Sequence, residues 1–379
     1  MRAARAIIHL DYFRENFQAV RARIGAKRLI CVPIKADAYG HGSLQIAQAS
    51  LEAGAYCVAV ATVAEGAELR SGGISAPVLL LSQPMFEEIP GVLENRLIPM
   101  VSDTDFAEAL NRASSESGRK VPVHLKIDTG MNRLGVLAAE APRVAAYIAG
   151  CAALEYAGTA SHLACADSTE PDSHAYTRQQ LACFNDALAA IRALGIEPGI
   201  VHAANSGAVL LHPESWYDMV RPGILLYGYK QADEAAADFQ AAGGSACINV
   251  RPLMELQAKI VVIRKVRKGE SLSYGRTWTA PYDTNIAVLP LGYADGLPRL
   301  ASNRWQVFIH DRLYPLVGRI CMDQCFVDLG PETSIRRWDE ACVFGGPAPD
   351  AAALAEITGT IPYEITCNVN KRVPRVYLS

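Results

Sequence analysis

The feature that most limits what this chain can fold into is a regular alternation of short apolar runs with amphipathic stretches through its N-terminal two-thirds. The runs fall at 29–34, 56–61, 77–81, 97–101, 121–127, 154–160, 200–204 and 217–220, too short for helices and mostly rich in Val, Ile and Leu. Between them, 44–53, 64–70, 105–117 and 176–194 repeat apolar residues at helical spacing, and Asp11 stands where it would cap a helix over 12–23. Eight strand–helix units point to a (β/α)8 barrel, with an open doubly wound sheet as the alternative.

The texture changes after a Gly- and Ala-rich stretch at 235–246, which reads as a linker. Beyond it, 256–266, 286–291, 305–310, 316–320 and 325–329 are short β-rich runs, and only 351–357 looks helical. The expected architecture is therefore α/β, a (β/α)8 TIM-type barrel followed by a mainly β C-terminal domain. A chain of 379 residues is long enough for both. Half its residues are hydrophobic and a fifth are charged, the balance of a globular enzyme. A net charge of −3 supplies no basic field for a nucleic-acid backbone. No stretch is long enough to span a bilayer, and Asp11 arrives before a signal-peptide core develops, so the cytoplasm is the expected location. Ten cysteines occur without a C-x-x-C pair. The Cys321/Cys325 and His162/Cys165 spacings have no matching partners elsewhere, so reduced thiols and no metal are expected.

In such a barrel, chemistry gathers where strands end. The first run ends in Cys31-Val32-Pro33-Ile34-Lys35-Ala36-Asp37-Ala38-Tyr39-Gly40-His41-Gly42, which delivers Lys35 into a site ahead of a helix opening near Ser43. A lysine so placed forms a Schiff base if burial and cationic neighbours free its amine; an isolated one is more often a surface lysine at a strand end. The fifth run leads into Lys126-Ile127-Asp128-Thr129-Gly130-Met131-Asn132-Arg133-Leu134-Gly135, and the sixth ends near Ser161-His162. The seventh leads to Asn205-Ser206-Gly207 and the eighth to Arg221-Pro222-Gly223-Ile224. Loops after the last two strands are the usual phosphate cradle, and Ser206, Gly223 and Ile224 are placed for it.

These segments resemble the bacterial alanine racemases, fold-type III pyridoxal-phosphate enzymes. The resemblance starts at the Lys35 motif, where Ile34 replaces the usual Val. It continues through Leu225-Leu226-Tyr227-Gly228, Ser273-Tyr274-Gly275-Arg276-Thr277-Trp278, Leu291-Gly292-Tyr293-Ala294-Asp295-Gly296, Gly318-Arg319-Ile320-Cys321-Met322-Asp323-Gln324 and Tyr363-Glu364. It implies an N-terminal strand at 1–10 joining the second domain, a cofactor barrel at 11–240 and a β-rich domain at 241–379. It also implies a homodimer in which the second domain of one subunit completes the other's site. The implied activity is interconversion of L-alanine and D-alanine, which supplies D-alanine for peptidoglycan precursors or consumes it in catabolism.

Removing a proton from one face and returning one to the other needs two bases. The resemblance assigns these to Lys35 and the partner's Tyr274, the latter supported by His162 and Arg221. Tyr39, Ser206, Gly223, Ile224 and Tyr363 are implied to hold the cofactor with Lys35 and His162. Arg221 meets the pyridine nitrogen, where a donor-only guanidinium leaves the ring nitrogen neutral and favours simple reprotonation at the α-carbon. Arg133 and the Met322 backbone N–H are implied to bind the substrate carboxylate, with Asp323 in support. Tyr293 and Tyr363 narrow the entry towards a methyl side chain, while slow activity on serine stays open. Some family members carbamylate the lysine matching Lys126; the alternative is an ordinary lysine with a buried stem.

The nearest rival is a decarboxylase of the same architecture, which would carry an acid in place of Arg221 and a Cys-x-x-Asp-Gly element where this chain has Cys321-Met322-Asp323-Gln324. A non-catalytic pyridoxal-phosphate carrier would end after the barrel.

Overall fold

The computed structural model describes residues 3–230 and 248–379, so the stretch read as a linker and the expected boundary at 240/241 lie outside the described residues. The chain forms two compact units, Arg14–Ala38 with Ser43–Val250, and Met1–Phe13 with Tyr39–Gly42 and Arg251–Ser379.

The strands, in chain order, begin with β1 (Ala4–His9), which belongs to the second of these units. The first unit then carries β2 (Leu29–Pro33), β3 (Cys57–Val60), β4 (Val78–Leu80), β5 (Ile98–Val101), β6 (Val121–Asp128), β7 (Val136–Leu137), β8 (Leu154–Ala160), β9 (Ile200–His202) and β10 (Met219–Val220). Eight of these are parallel neighbours in the order β10-β2-β3-β4-β5-β6-β8-β9, and β7 pairs beside β6. The ring closes between its ends, where Asp218 N–H donates to Val201 O (3.1 Å) and Arg221 N–H to Ala204 O (2.9 Å). Burial on both faces explains why β3 and β4 are apolar without alternation. Cys31, Cys57, Ala59, Leu79, Met100, Ala160 and Met219 fill part of the interior.

Most strands are shorter than their apolar runs. The eighth is only Met219–Val220, because Tyr217 is left-handed (φ 43°) before it and Pro222 follows Arg221. The first helix begins at Leu10, so Asp11 lies inside its first turn, where a carboxylate still suits the positive end of the dipole. The helix expected from 176 starts at Pro171, whose fixed φ and missing N–H suit a first helical position.

The second unit adds β11 (Met254–Lys259), β12 (Val262–Val266), β13 (Ser271–Leu272), β14 (Trp278–Thr279), β15 (Thr284–Leu289), β16 (Gln306–Ile309), β17 (Arg312–Pro315), β18 (Cys325–Asp328), β19 (Glu340–Phe344) and β20 (Arg375–Leu378). Its largest sheet runs β17-β16-β19-β11-β1-β20, with β1 antiparallel to β11 and parallel to β20. A β12-β15-β18 sheet and a β13-β14 pair complete it. The run at 256–266 is two strands, broken where Ile260 turns its N–H to Asp339 O. The run at 316–320 is a loop with one bridge from Leu316 to Val327, and the strand lies just before it. Besides the helix Ala351–Thr358 there is a second, Pro362–Cys367, which carries Tyr363. Among the described residues no helix is long and apolar enough to cross a membrane.

Candidate active site

One residue, Ile34, separates Lys35 from the end of β2, and the chain then turns with the opposite hand to an ordinary helix. Ala36, Asp37, Ala38 and Tyr39 have φ of 53, 55, 53 and 54°. Each such residue costs about 1–2 kcal/mol when it carries a Cβ, so the turn needs support. The Glu65 carboxylate accepts from Ala36 N–H (2.7 Å) and from Ala61 and Thr62 N–H (2.8 and 3.2 Å), and Asp37 accepts from Ser43 N–H (3.0 Å). Before the turn, Tyr227 OH donates to Pro33 O (2.8 Å). The backbone on both sides of Lys35 is therefore held.

On the rim, four basic groups act on one imidazole. His162 is pushed well below the ordinary histidine range, first by burial and then by Lys126, Arg221, Arg133 and Lys35. Arg221 is almost wholly buried, and burial lowers its guanidinium to about 10, so it stays charged at neutral pH. Its Nη2 donates to Ser161 O (2.8 Å), Ala203 O (3.2 Å) and His162 Nδ1 (3.2 Å), and its Nη1 meets His202 Nδ1 at 2.6 Å. Lys126 is buried, and its amine is held well below the lysine range by burial, Arg221 and Arg133, with Asp128 opposing.

The loop from Lys126 to Arg133 is fastened at several points. Asp128 accepts from Gly130 and Asn132 N–H (2.9 and 3.1 Å), Thr129 and Ser161 hydroxyls meet at 2.8 Å, and Tyr176 OH donates to Gly130 O (2.7 Å). Gln180 Nε2 also donates to His162 O (3.2 Å).

After β9, Asn205 caps the helix Ser206–Leu211 by accepting from Ala208 N–H (3.0 Å). Ser206 Oγ accepts from Leu225 N–H (3.2 Å), which joins the seventh and eighth loops. Gly223 and Ile224 are buried, and among the described residues neither N–H has an acceptor in the protein. Buried N–H groups without partners are rare, and an anion would satisfy them. A buried guanidinium at Arg221 and two waiting N–H groups fit a phosphate ester with a further anionic oxygen, which is what pyridoxal phosphate offers.

In the second unit, the Tyr39 and Tyr363 rings lie 5.6 Å apart, and Gly40 O accepts from Arg375 Nε and Nη2 (3.0 and 2.9 Å). A Cβ at Gly40 would run into the Thr366 carbonyl, so only glycine fits there. Tyr274, Tyr293 and Met322 are exposed by 70, 43 and 53% on three adjoining loops. Ser273 Oγ donates to Arg319 O (2.6 Å), and Tyr293 and Ala294 N–H donate to Cys321 and Met322 O (3.0 Å each). Arg372 ties Asp295 to Asp323 (2.8 and 2.7 Å), fixing two of these loops.

Sequence reasoning missed Glu65, Arg372, His202 and His124. The two histidines sit inside apolar runs at 121–127 and 200–204, and a charge-capable residue within a buried strand was the available signal. Among the described residues no cluster of His, Cys, Asp or Glu is arranged to hold a metal ion.

A lysine just past the first barrel strand, buried N–H groups open to an anion after the eighth and a donor-only arginine fit the way a barrel enzyme handles pyridoxal phosphate, and that is the class into which this protein falls. Residues 8–231 match the family described as "Alanine racemase, N-terminal domain" and 253–377 "Alanine racemase, C-terminal domain". The chain is 45% identical to the alanine racemase of Treponema denticola, over 100% of this chain and 99% of that protein. Its fold matches the alanine racemase of Clostridium difficile 630 with TM-score 0.92 at 33% identity, covering 100% of this chain and 96% of that one. It matches the enzyme from D-cycloserine-producing Streptomyces lavendulae with TM-score 0.90 at 35% identity, covering 100 and 98%. The chain belongs to the alanine racemase family, whose members are pyridoxal-phosphate-dependent isomerases.

Proposed function

We propose that this protein interconverts L-alanine and D-alanine in the cytoplasm as a homodimer in which each second unit serves the partner's barrel. The observation that carries this reading is Arg221, a buried donor-only group at the rim that bonds His162 and has no carboxylate in its place.

Pyridoxal phosphate, when bound, withdraws electrons from the substrate α-carbon and acidifies its proton. Lys35 holds the cofactor, and Ser206 with the Gly223 and Ile224 N–H groups takes its phosphate, alongside Tyr39 and Tyr363. Arg221 donates towards the ring nitrogen. Arg133 and the Met322 N–H orient the substrate carboxylate. The Lys35 amine exchanges the α-proton on one face, and the partner's Tyr274 exchanges it on the other. Because Arg221 can only donate, His162 Nδ1 must accept, and its proton sits on Nε2, the donor that an ionised Tyr274 of the partner subunit requires. A chain without residues 248–379 would lack that second base, which disfavours the carrier reading.

Lys126 takes up carbon dioxide in this reading. Burial beside Arg221 and Arg133 favours its neutral amine, the form that can add CO2, release a proton and become a carbamate anion paired with Arg133. Intact-mass measurement in 13C-bicarbonate should show the label on wild-type protein and not on Lys126→Met.

The direct test is loss of optical activity from each alanine enantiomer with the purified holoenzyme. Both should converge on the racemate, and Tyr274→Phe should lose exchange from L-alanine while Lys35 still binds the cofactor covalently. Unchanged racemisation by that variant would remove the two-base assignment.

A further inference from the structure

Behind Arg221 a polar chain crosses the barrel interior. Arg221 Nη1 lies 2.6 Å from His202 Nδ1, and His202 Nε2 lies 2.7 Å from His124 Nδ1. Both imidazoles are almost wholly buried, and both are driven to the neutral form, His124 to about 4 by burial and then Arg221, His202 well down by burial and then Arg221. A guanidinium has no lone pair to offer, so His202 Nδ1 must be the acceptor. A neutral His202 then carries its proton on Nε2 and donates it to His124 Nδ1. His124 in turn carries its proton on Nε2. Every hydrogen bond in the chain has one allowed direction.

The backbone is built around this arrangement. The β6–β8 register shifts between Val123 and His124, leaving Ala157 of β8 as the extra residue and bringing Gly158 opposite His124. His124 pairs with Gly158, where a Cβ would come within 2.5 Å of the His124 ring. His124 also lines a cavity of about 230 Å³ with Tyr56, Cys57, Pro122 and Glu155, among residues at the strand starts. Its Nε2–H therefore has room for water at the end of the barrel away from the rim.

We propose that His124 is a positioning residue: by accepting from His202 it locks the His202 tautomer, and the locked Nδ1 lone pair aims the Arg221 guanidinium. Without His124, Arg221 alone holds the His202 proton on Nε2, and that buried N–H loses its acceptor, which weakens the tautomer's preference. With the proton on Nδ1, two donors would face each other at 2.6 Å and Arg221 would swing away. The catalytic part of this inference rests on the racemase reading above; the tautomer part does not.

The test uses holoenzyme labelled with 15N-histidine and read by solid-state 15N spectroscopy without substrate. The chain has eight histidines, few enough to assign by single substitution. His124 and His202 should both be neutral with the proton on Nε2 between about pH 6 and 8. In His124→Leu, His202 should show a mixture of tautomers. Its kcat should fall about tenfold in both directions, equal to ~1.4 kcal/mol, with KM within about twofold. His124→Asn, whose side-chain oxygen can accept from His202, should restore a single tautomer and most of the rate. A proton on His202 Nδ1 in the wild type, an unchanged tautomer in His124→Leu, or an Asn variant no better than Leu would each overturn the proposal. Should His124→Leu fail to fold, the wild-type tautomers and the Asn variant decide it. Fixed tautomers in a protein that does not racemise alanine would remove the function and leave the lock standing.

Discussion

His162 and Arg221 show how a few residues set the chemistry of the rim. Burial and four basic neighbours push the His162 imidazole towards its neutral form, and the charged arginines among them leave an anion as the natural guest. His124 and His202 are held neutral as well, the first at about 4. The unfolded chain returns all three to about 6.5, so between about pH 6.5 and 4 it binds more protons than the folded state, and stability falls as pH falls. Urea midpoints followed by circular dichroism should begin to drop near pH 6.5, above the range where carboxylates titrate. A midpoint flat down to pH 5 would contradict the buried-neutral assignment. At the entry, Tyr363→Ala should raise the rate on serine relative to alanine by roughly 10-fold or more if the ring narrows the site; competition between the two substrates measures it. The Lys35 motif was legible because the residues carrying it are contiguous. His202 and His124 were not, because hydrogen bonds between strands far apart in sequence leave no local pattern.

At the scale of elements, the left-handed turn after Lys35 is the part most dependent on its surroundings. Ala36, Asp37 and Ala38 all carry a Cβ, and nothing in their local preference selects this hand. Glu65, in the first turn of the helix Val63–Ser71 and part of the capping box with Thr62, supplies the compensation by reaching back to Ala36. Glu65→Ala should cost about 1–3 kcal/mol, the range for an unmade charged hydrogen bond, and should slow uptake of the cofactor. Denaturation and the rise of the visible cofactor band would measure the two effects. The apolar runs marked the strands well because burial on both faces needs continuous hydrophobicity. The loop at 316–320 was misread for the same reason, since an apolar segment can be buried without pairing along its length. The helix at Pro362–Cys367 escaped because six residues are too few to show a period.

For the whole molecule, exposure of Tyr274 at 70%, with Met322 and Tyr293 on adjoining loops, is the feature that a monomer leaves unexplained. Mixing Lys35→Ala with Tyr274→Phe subunits should restore activity that neither has alone, since one site per heterodimer would be intact. No recovery in a mixture proven to exchange would refute shared sites. Sequence by itself determined the order of strands and helices, the β character of the second unit and the lysine at the end of the first barrel strand. Those follow from hydrophobic periodicity and contiguous motifs, which are local. Tertiary structure alone decided that β1 lies between β11 and β20, that Arg221 faces two histidines, and that Gly223 and Ile224 keep unpaired N–H groups. Each of these depends on where separate segments meet in space, and the balance of burial against hydrogen bonding that selects such meetings is struck only when the chain has closed on itself.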